Sequence, residues 1–185
     1  MELSKGFGTS GSSGLNWELV LDWELQEEQS GNIDIDVSSY NLQDYVLLLL
    51  KTYNIYNGNP SSSSSQRVTL SLSYSYKSGN TSYSSNSVSF GNMDVGGVRN
   101  NSLNLTSEAM CVFYIDTDEY QIKGFSAMGG INLINDVGRI VYYDGANHRA
   151  KISSVDKLSL IQTDFGSEPT MKILPGARIQ IYGLK

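Results

Sequence analysis

Between positions 17 and 26 the odd residues Trp17, Leu19, Leu21, Trp23 and Leu25 are apolar, while Glu18, Asp22, Glu24 and Gln26 are polar. A period of two is the mark of a strand with one buried face, and this is the clearest such stretch in the chain. Residues 27–31 read as a turn, after which Ile33, Ile35 and Val37 alternate with Asn32, Asp34 and Asp36, leaving the two aspartates to solvent. Residues 45–50 are apolar without alternation, which predicts a central strand covered on both faces. Val68, Leu70, Leu72, Tyr74 and Tyr76 alternate with Thr69, Ser71, Ser73 and Ser75, and residues 77–80 close a hairpin onto a weaker strand that ends near Val88 and Phe90.

Further on, residues 91–104 are rich in Gly and Asn and predict a long irregular crossing from one sheet to another. Residues 109–115 and 120–128 form two strands around the acidic turn 116–119, 131–134 is a brief strand and 139–143 another. The last strand follows a turn at Pro175-Gly176: Ile179 and Ile181 share one face, and Arg178, Gln180 and Tyr182 the other. Its expected partner is either residues 157–162 or the first strand, 17–26. The predicted core is Trp17, Leu19, Leu21, Val46, Leu48, Leu70, Leu72, Ile179 and Ile181.

About ten strands and no convincing helix predict an all-β fold, an antiparallel β-sandwich of jelly-roll kind. Residues 1–16, rich in Gly and Ser, are expected to be a flexible N-terminal arm, and residues 17–185 the sandwich domain. The serines at 61–65 read as a low-complexity loop. Abundant Ser, Asn, Gly and Tyr disfavour helix in the same way.

Charge narrows the partners. A formal net charge of −6 and a pI near 4.7 argue against nucleic acid, which needs clustered Lys and Arg. The longest apolar stretch is far too short to span a bilayer and residues 1–14 hold no leader-like apolar run, so the expectation is a protein made in the cytoplasm without membrane insertion. Cys111, the one cysteine, reads as a small buried hydrophobe.

The two ends carry a resemblance. Trp17-Glu18-Leu19 opening a first strand, Ile33-Asp34-Ile35-Asp36-Val37 leading to Asp44-Tyr45-Val46-Leu47-Leu48-Leu49, and the closing Leu174-Pro175-Gly176-Ala177-Arg178-Ile179-Gln180-Ile181-Tyr182-Gly183 are similar to a small β-sandwich domain recurrent in virion proteins of tailed bacteriophages. The likeness covers about a third of the chain. It implies a virion structural protein of a tail, baseplate or capsid appendage, located in the virion, with copies of itself and other virion proteins as partners. It supplies no catalytic residue.

Candidate chemistry is sparse. His148, the one histidine, lacks an evident nucleophile, and Glu18, Asp22 and Glu24 read as a solvated strand face where a glycosidase would need a paired site. Asp116, Asp118 and Glu119 lack the Gly and distal Glu of an EF-hand loop and read as a hairpin turn. The expectation is therefore no enzyme, no cofactor and no metal. Tyr76, Tyr83, Tyr142 and Tyr143 remain as candidate ligand contacts, because tyrosine offers sugars a flat apolar face with a polar handle. Two functions of different class follow: a virion structural subunit that also contacts the host surface, or a lectin-like module that binds a host cell-surface glycan.

Overall fold

In the computed structural model the described residues are 16–58, 66–78, 80–96, 106–116, 121–130, 139–144, 151–164 and 172–185. They form twelve strands: β1 (Trp17–Glu24), β2 (Gln29–Ser30), β3 (Ile33–Asp36), β4 (Leu47–Tyr56), β5 (Gln66–Ser78), β6 (Thr81–Gly96), β7 (Thr106–Asp116), β8 (Gln121–Gly130), β9 (Arg139–Asp144), β10 (Lys151–Asp164), β11 (Lys172–Ile173) and β12 (Arg178–Leu184). Pairing is nested. β5 pairs with β6, β4 with β7, β3 with β10, β2 with β11 and β1 with β12, all antiparallel. The chain is thus a long two-stranded ribbon with the β5–β6 hairpin at its tip, and β8 and β9 are inserted between β7 and β10.

Rolling that ribbon up brings β12 against β4 and β10 against β5. The result is a six-stranded sheet in the order β1-β12-β4-β7-β8-β9, a four-stranded sheet β3-β10-β5-β6, and the small pair β11-β2. Without the β8–β9 insertion the two main sheets hold four strands each in jelly-roll order. The long connection after β6 does cross between the sheets, but β6 extends through Gly96 where an irregular segment was expected from residue 91. The 61–65 loop, the 131–134 strand and the arm, except Asn16, lie outside the described residues.

Inward positions of both sheets make one core. Leu48, Leu50, Cys111, Phe113, Ile179 and Ile181 come from the large sheet, and Val68, Leu70, Leu72, Phe90, Leu158 and Leu160 from the small one. Phe90 on β6 and Phe113 on β7 meet between the sheets with ring centroids 4.9 Å apart. Six of the nine expected core residues are buried: Leu21, Leu48, Leu70, Leu72, Ile179 and Ile181. Trp17, Leu19 and Val46 are not; they are 43%, 50% and 64% exposed.

A bulge in β1 explains two of the three. Leu19 pairs with Tyr182 and Leu21 with Ile181, so Val20 is an extra residue without a partner of its own. One inserted residue reverses the side-chain phase. Leu21 therefore faces the core with Ile181, whereas Leu19 and Trp17 stand outside with Tyr182 and Leu184. The third, Val46, lies between a 3-10 segment at Leu42–Asp44 and the start of β4, so the expected strand at residues 45–50 begins only at Leu47. The partner of the last strand is β1, with β4 on the other side; residues 157–162 belong to β10 in the other sheet.

Replacing Leu48 by Ala should cost about 2–5 kcal/mol, since the side chain is fully buried and would leave a cavity. Leu19→Ser should change stability by no more than about 0.5 kcal/mol, as is usual for exposed positions. Chemical denaturation of the two variants checks both; equal losses would place Leu19 in the core after all.

Candidate functional site

Along the outer face of the large sheet, apolar side chains stand in rows that cross four strands. One row runs from Leu19 on β1 through Tyr182 on β12 and Leu49 on β4 to Val112 on β7. The next links Trp17, Leu184 and Leu47, with Val46 at the rim, where its N–H donates to the Leu184 carbonyl at 2.9 Å. Met110 and Tyr114 flank Val112 on β7. Among the described residues, Trp17, Leu19, Val46, Met110 and Tyr114 are five of the six exposed large apolar side chains, and all lie on this face or its rim. A contiguous apolar surface rimmed by polar groups marks an interaction site; scattered single residues do not.

The polar border is built from the same strands. Below the bulge Asp22 and Glu24 face outward beside Arg178, and both guanidinium nitrogens Nε and Nη2 donate to the Asp22 carboxylate, the Nε bond being 2.6 Å. Arg178 holds the Asp22 carboxyl below its ordinary range, and Asp22 raises Arg178 in turn. Lys51 lies 5.5 Å from the centroid of the Tyr182 ring.

At the end of the sandwich Glu18, on the inward phase opposite Gly183, accepts hydrogen bonds from the Tyr45 hydroxyl at 2.5 Å and from Lys185 Nζ at 2.8 Å. Lys185 and then Tyr45 hold the Glu18 carboxyl below its ordinary range; Lys185 is itself raised, chiefly by Glu18, and so is Tyr45. Lys185 also sits 4.6 Å above the Tyr45 ring centroid. The ring lies over Gly183, where an added Cβ would fall within it.

On the small sheet Asp34 accepts from Lys157 Nζ at 2.8 Å and Ser159 Oγ at 2.6 Å, and Asp36 accepts from the Ser38 N–H and hydroxyl. Both aspartates are exposed, as their alternation implied, and both are held below their ordinary range, Asp34 mainly by Lys157 and Asp36 by Ser38. Burial pushes the Cys111 thiol up to about 12, so it is inert in the core.

The four tyrosine candidates fall into two pairs. Tyr76 and Tyr83 are opposite each other near the β5–β6 turn, and Tyr142 and Tyr143 are consecutive on β9, at the edge of the other sheet. Their side chains are outside the described residues, as are His148, Asp118 and Glu119. Among the described residues no group of three or more His, Cys, Asp or Glu is arranged to hold a metal ion. The outer apolar face was missed by sequence reasoning. Its signal was present in the unalternating run Leu47–Leu50 and in the apolar Tyr182 and Leu184 on the supposed solvent side of the last strand. The chain matches no known family profile and no curated protein.

Two outcomes test this architecture. Glu18, Asp22, Asp34 and Asp36 have folded pKa values below those of the unfolded chain, so below about pH 4 the unfolded state binds more protons. Stability is expected to be full above about pH 5 and to fall as the pH drops through the carboxylate range, and thermal melts should show that limb flattened in a Glu18→Gln, Asp22→Asn variant. Gly183→Ala should lower stability by about 1–3 kcal/mol, because the Tyr45 ring must move; recovery in a Gly183→Ala, Tyr45→Ala double variant, read as a coupling between the two, checks the cause.

Proposed function

We propose that the protein is a structural subunit of a tailed-bacteriophage virion, part of a tail, baseplate or capsid appendage, that packs against neighbouring subunits through the outer face of its large sheet. One observation carries the reading: Trp17, Leu19, Leu47, Leu49, Tyr182 and Leu184 form a continuous apolar surface on a sheet whose other face is already packed. A jelly roll needs only its inner faces apolar. Keeping a second apolar face costs solubility, and an assembled subunit recovers that cost by burying it. The bulge at Val20 serves this end by placing Trp17 and Leu19 outside while the rest of β1 still contributes to the core. The likeness of both chain ends to virion β-sandwich domains supports the same reading, as does the use of jelly rolls in viral capsids.

The chemistry of this face suits reversible packing, so the reading assigns no catalysis, cofactor, nucleic acid or membrane insertion. A carbohydrate-binding role is the second reading. It is favoured by the cross-strand pairing of Tyr76 with Tyr83 and by the occurrence of jelly rolls among lectins.

Particles produced with the variant Leu19→Ser, Val46→Ser should contain at most about a tenth of the normal amount of the protein by quantitative mass spectrometry, although the variant folds normally. Undiminished incorporation, or absence of the wild-type chain from purified particles, overturns the proposal. Loss of host-glycan binding in Tyr76→Ala, Tyr83→Ala with normal incorporation would add the second reading to the first.

A further inference from the structure

Resting on the docking role proposed above, we infer that the outer face of the large sheet receives an amphipathic α-helix of another polypeptide, laid across the strands with basic residues along its flanks. The outline of the apolar surface points to it. The row Leu19–Tyr182–Leu49–Val112 continues by register to Phe125 on β8 and Tyr142 on β9, so it crosses all six strands. Beside it run Trp17, Leu184 and Leu47, with Tyr114 on the same phase of β7. In the strand direction the surface ends early: on β1, β12 and β4 the next row is Asp22, Gln180 and Lys51. A third apolar row exists only at Met110, Ala127 and Ile140, on the other three strands. The strip is thus about 24 Å long, at about 4.8 Å from strand to strand, and its two full rows lie about 7 Å apart.

That outline selects the occupant. Stacked sheets keep their strands within about 30° of each other and meet along the strands' length. A second sheet would therefore set its side chains against Asp22, Gln180 and Lys51. A helix is about 10 Å across and buries one stripe of side chains, which suits two rows, and about 16 residues of it span the strip. Among the described residues the helical segments are two 3-10 turns of three residues each, and residues 1–15 are rich in Gly and Ser, which disfavour helix, so the helix comes from a different chain. Charge sets its flanks. With the Asp22–Arg178 pair set aside, the register gives this face Glu24, Glu108, Asp116 and Asp144 against Lys51 and Lys123. Glu24 and Glu108 lie along one long side of the strip and Asp116 along the other, so Lys or Arg on both flanks of the helix answers them.

A displayed library of random peptides, each about 18 residues long to cover the strip, tests this when selected on the full chain and counter-selected on Leu19→Ser, Met110→Ser. The two side chains are 50% and 48% exposed, so the variant keeps its core. Recovered sequences should carry apolar residues at i, i+3 or i+4 and i+7 with a surplus of Lys and Arg. A synthetic peptide of such a sequence should gain helical circular dichroism on binding. Its Kd should rise by about tenfold or more in the double variant, and should rise with added salt.

Recovered sequences with apolar residues at every second position, acidic flanks, or no sequence that prefers the native chain to the variant would each overturn the inference. Soluble bacterial wall polysaccharide bound by the native chain and lost in Leu19→Ser, Met110→Ser would give the face to a glycan and overturn it too. These failures are separable from that of the virion role. A chain packed into particles that selects no helix keeps the role and changes the partner, whereas one that selects helices but is absent from particles keeps the partner and loses the role.

Discussion

Strand β12 lies between β1 and β4, and the rest of the fold depends on that placement. Its seven residues pair along their whole length on both sides, Ile179 and Ile181 facing the core and Tyr182 and Leu184 the outer surface. Until the last strand arrives, β1 has no partner and the large sheet ends at β4. The turn before it is clamped: the Gly176 N–H donates to the Leu25 carbonyl at 2.9 Å and the Leu25 N–H to the Ala177 carbonyl at 2.8 Å. Gly176 has φ of +87°, a conformation that costs glycine little and other residues more. Because nested pairing joins the most distant parts of the sequence last, its loop-closure entropy must be met before the final contacts form.

The second constraint is the phase of the strands. A strand has only two faces, and a single extra residue exchanges them, so the bulge at Val20 lets one strand serve both sides of the sheet. A comparable break occurs in β4, where Asn54 adopts φ of +54° and the pairing with β7 shifts between Thr52 and Ile55. Asparagine tolerates that conformation better than most residues. There the shift works for the core, since Ile55 returns to the buried side after Thr52, whose hydroxyl accepts the Ala109 N–H at 2.8 Å.

These devices bear on function through what they leave uncovered. The carboxylates of Glu18, Asp22, Asp34 and Asp36 are engaged with Lys185, Arg178, Lys157 and Ser38 in local ties between neighbouring strands and turns. Among the described residues, five of the six large exposed apolar side chains, by contrast, gather on one face or its rim. A contiguous exposed apolar surface is suited to protein contact.

Much of this was legible in the chain. Alternation at residues 33–37 and 68–76, the Pro175-Gly176 turn and the hairpin after residue 77 are local consequences of side-chain period and backbone freedom, and each is found where the residues put it. The all-β class follows from the same local preferences. Which strands pair was not legible, because residues 157–162 and 17–26 are equally good partners for a terminal strand by pattern alone, and only the closure of the rolled ribbon selects β1. Nor was the bulge: Val20 is an ordinary strand residue with no Gly or Pro to announce it, and its extra position exists only relative to the register of β12. The sequence by itself determined that Trp17 and Leu19 are apolar strand residues. The tertiary structure alone decided that they face outward, because the direction of a side chain is set by a partner more than 160 residues away.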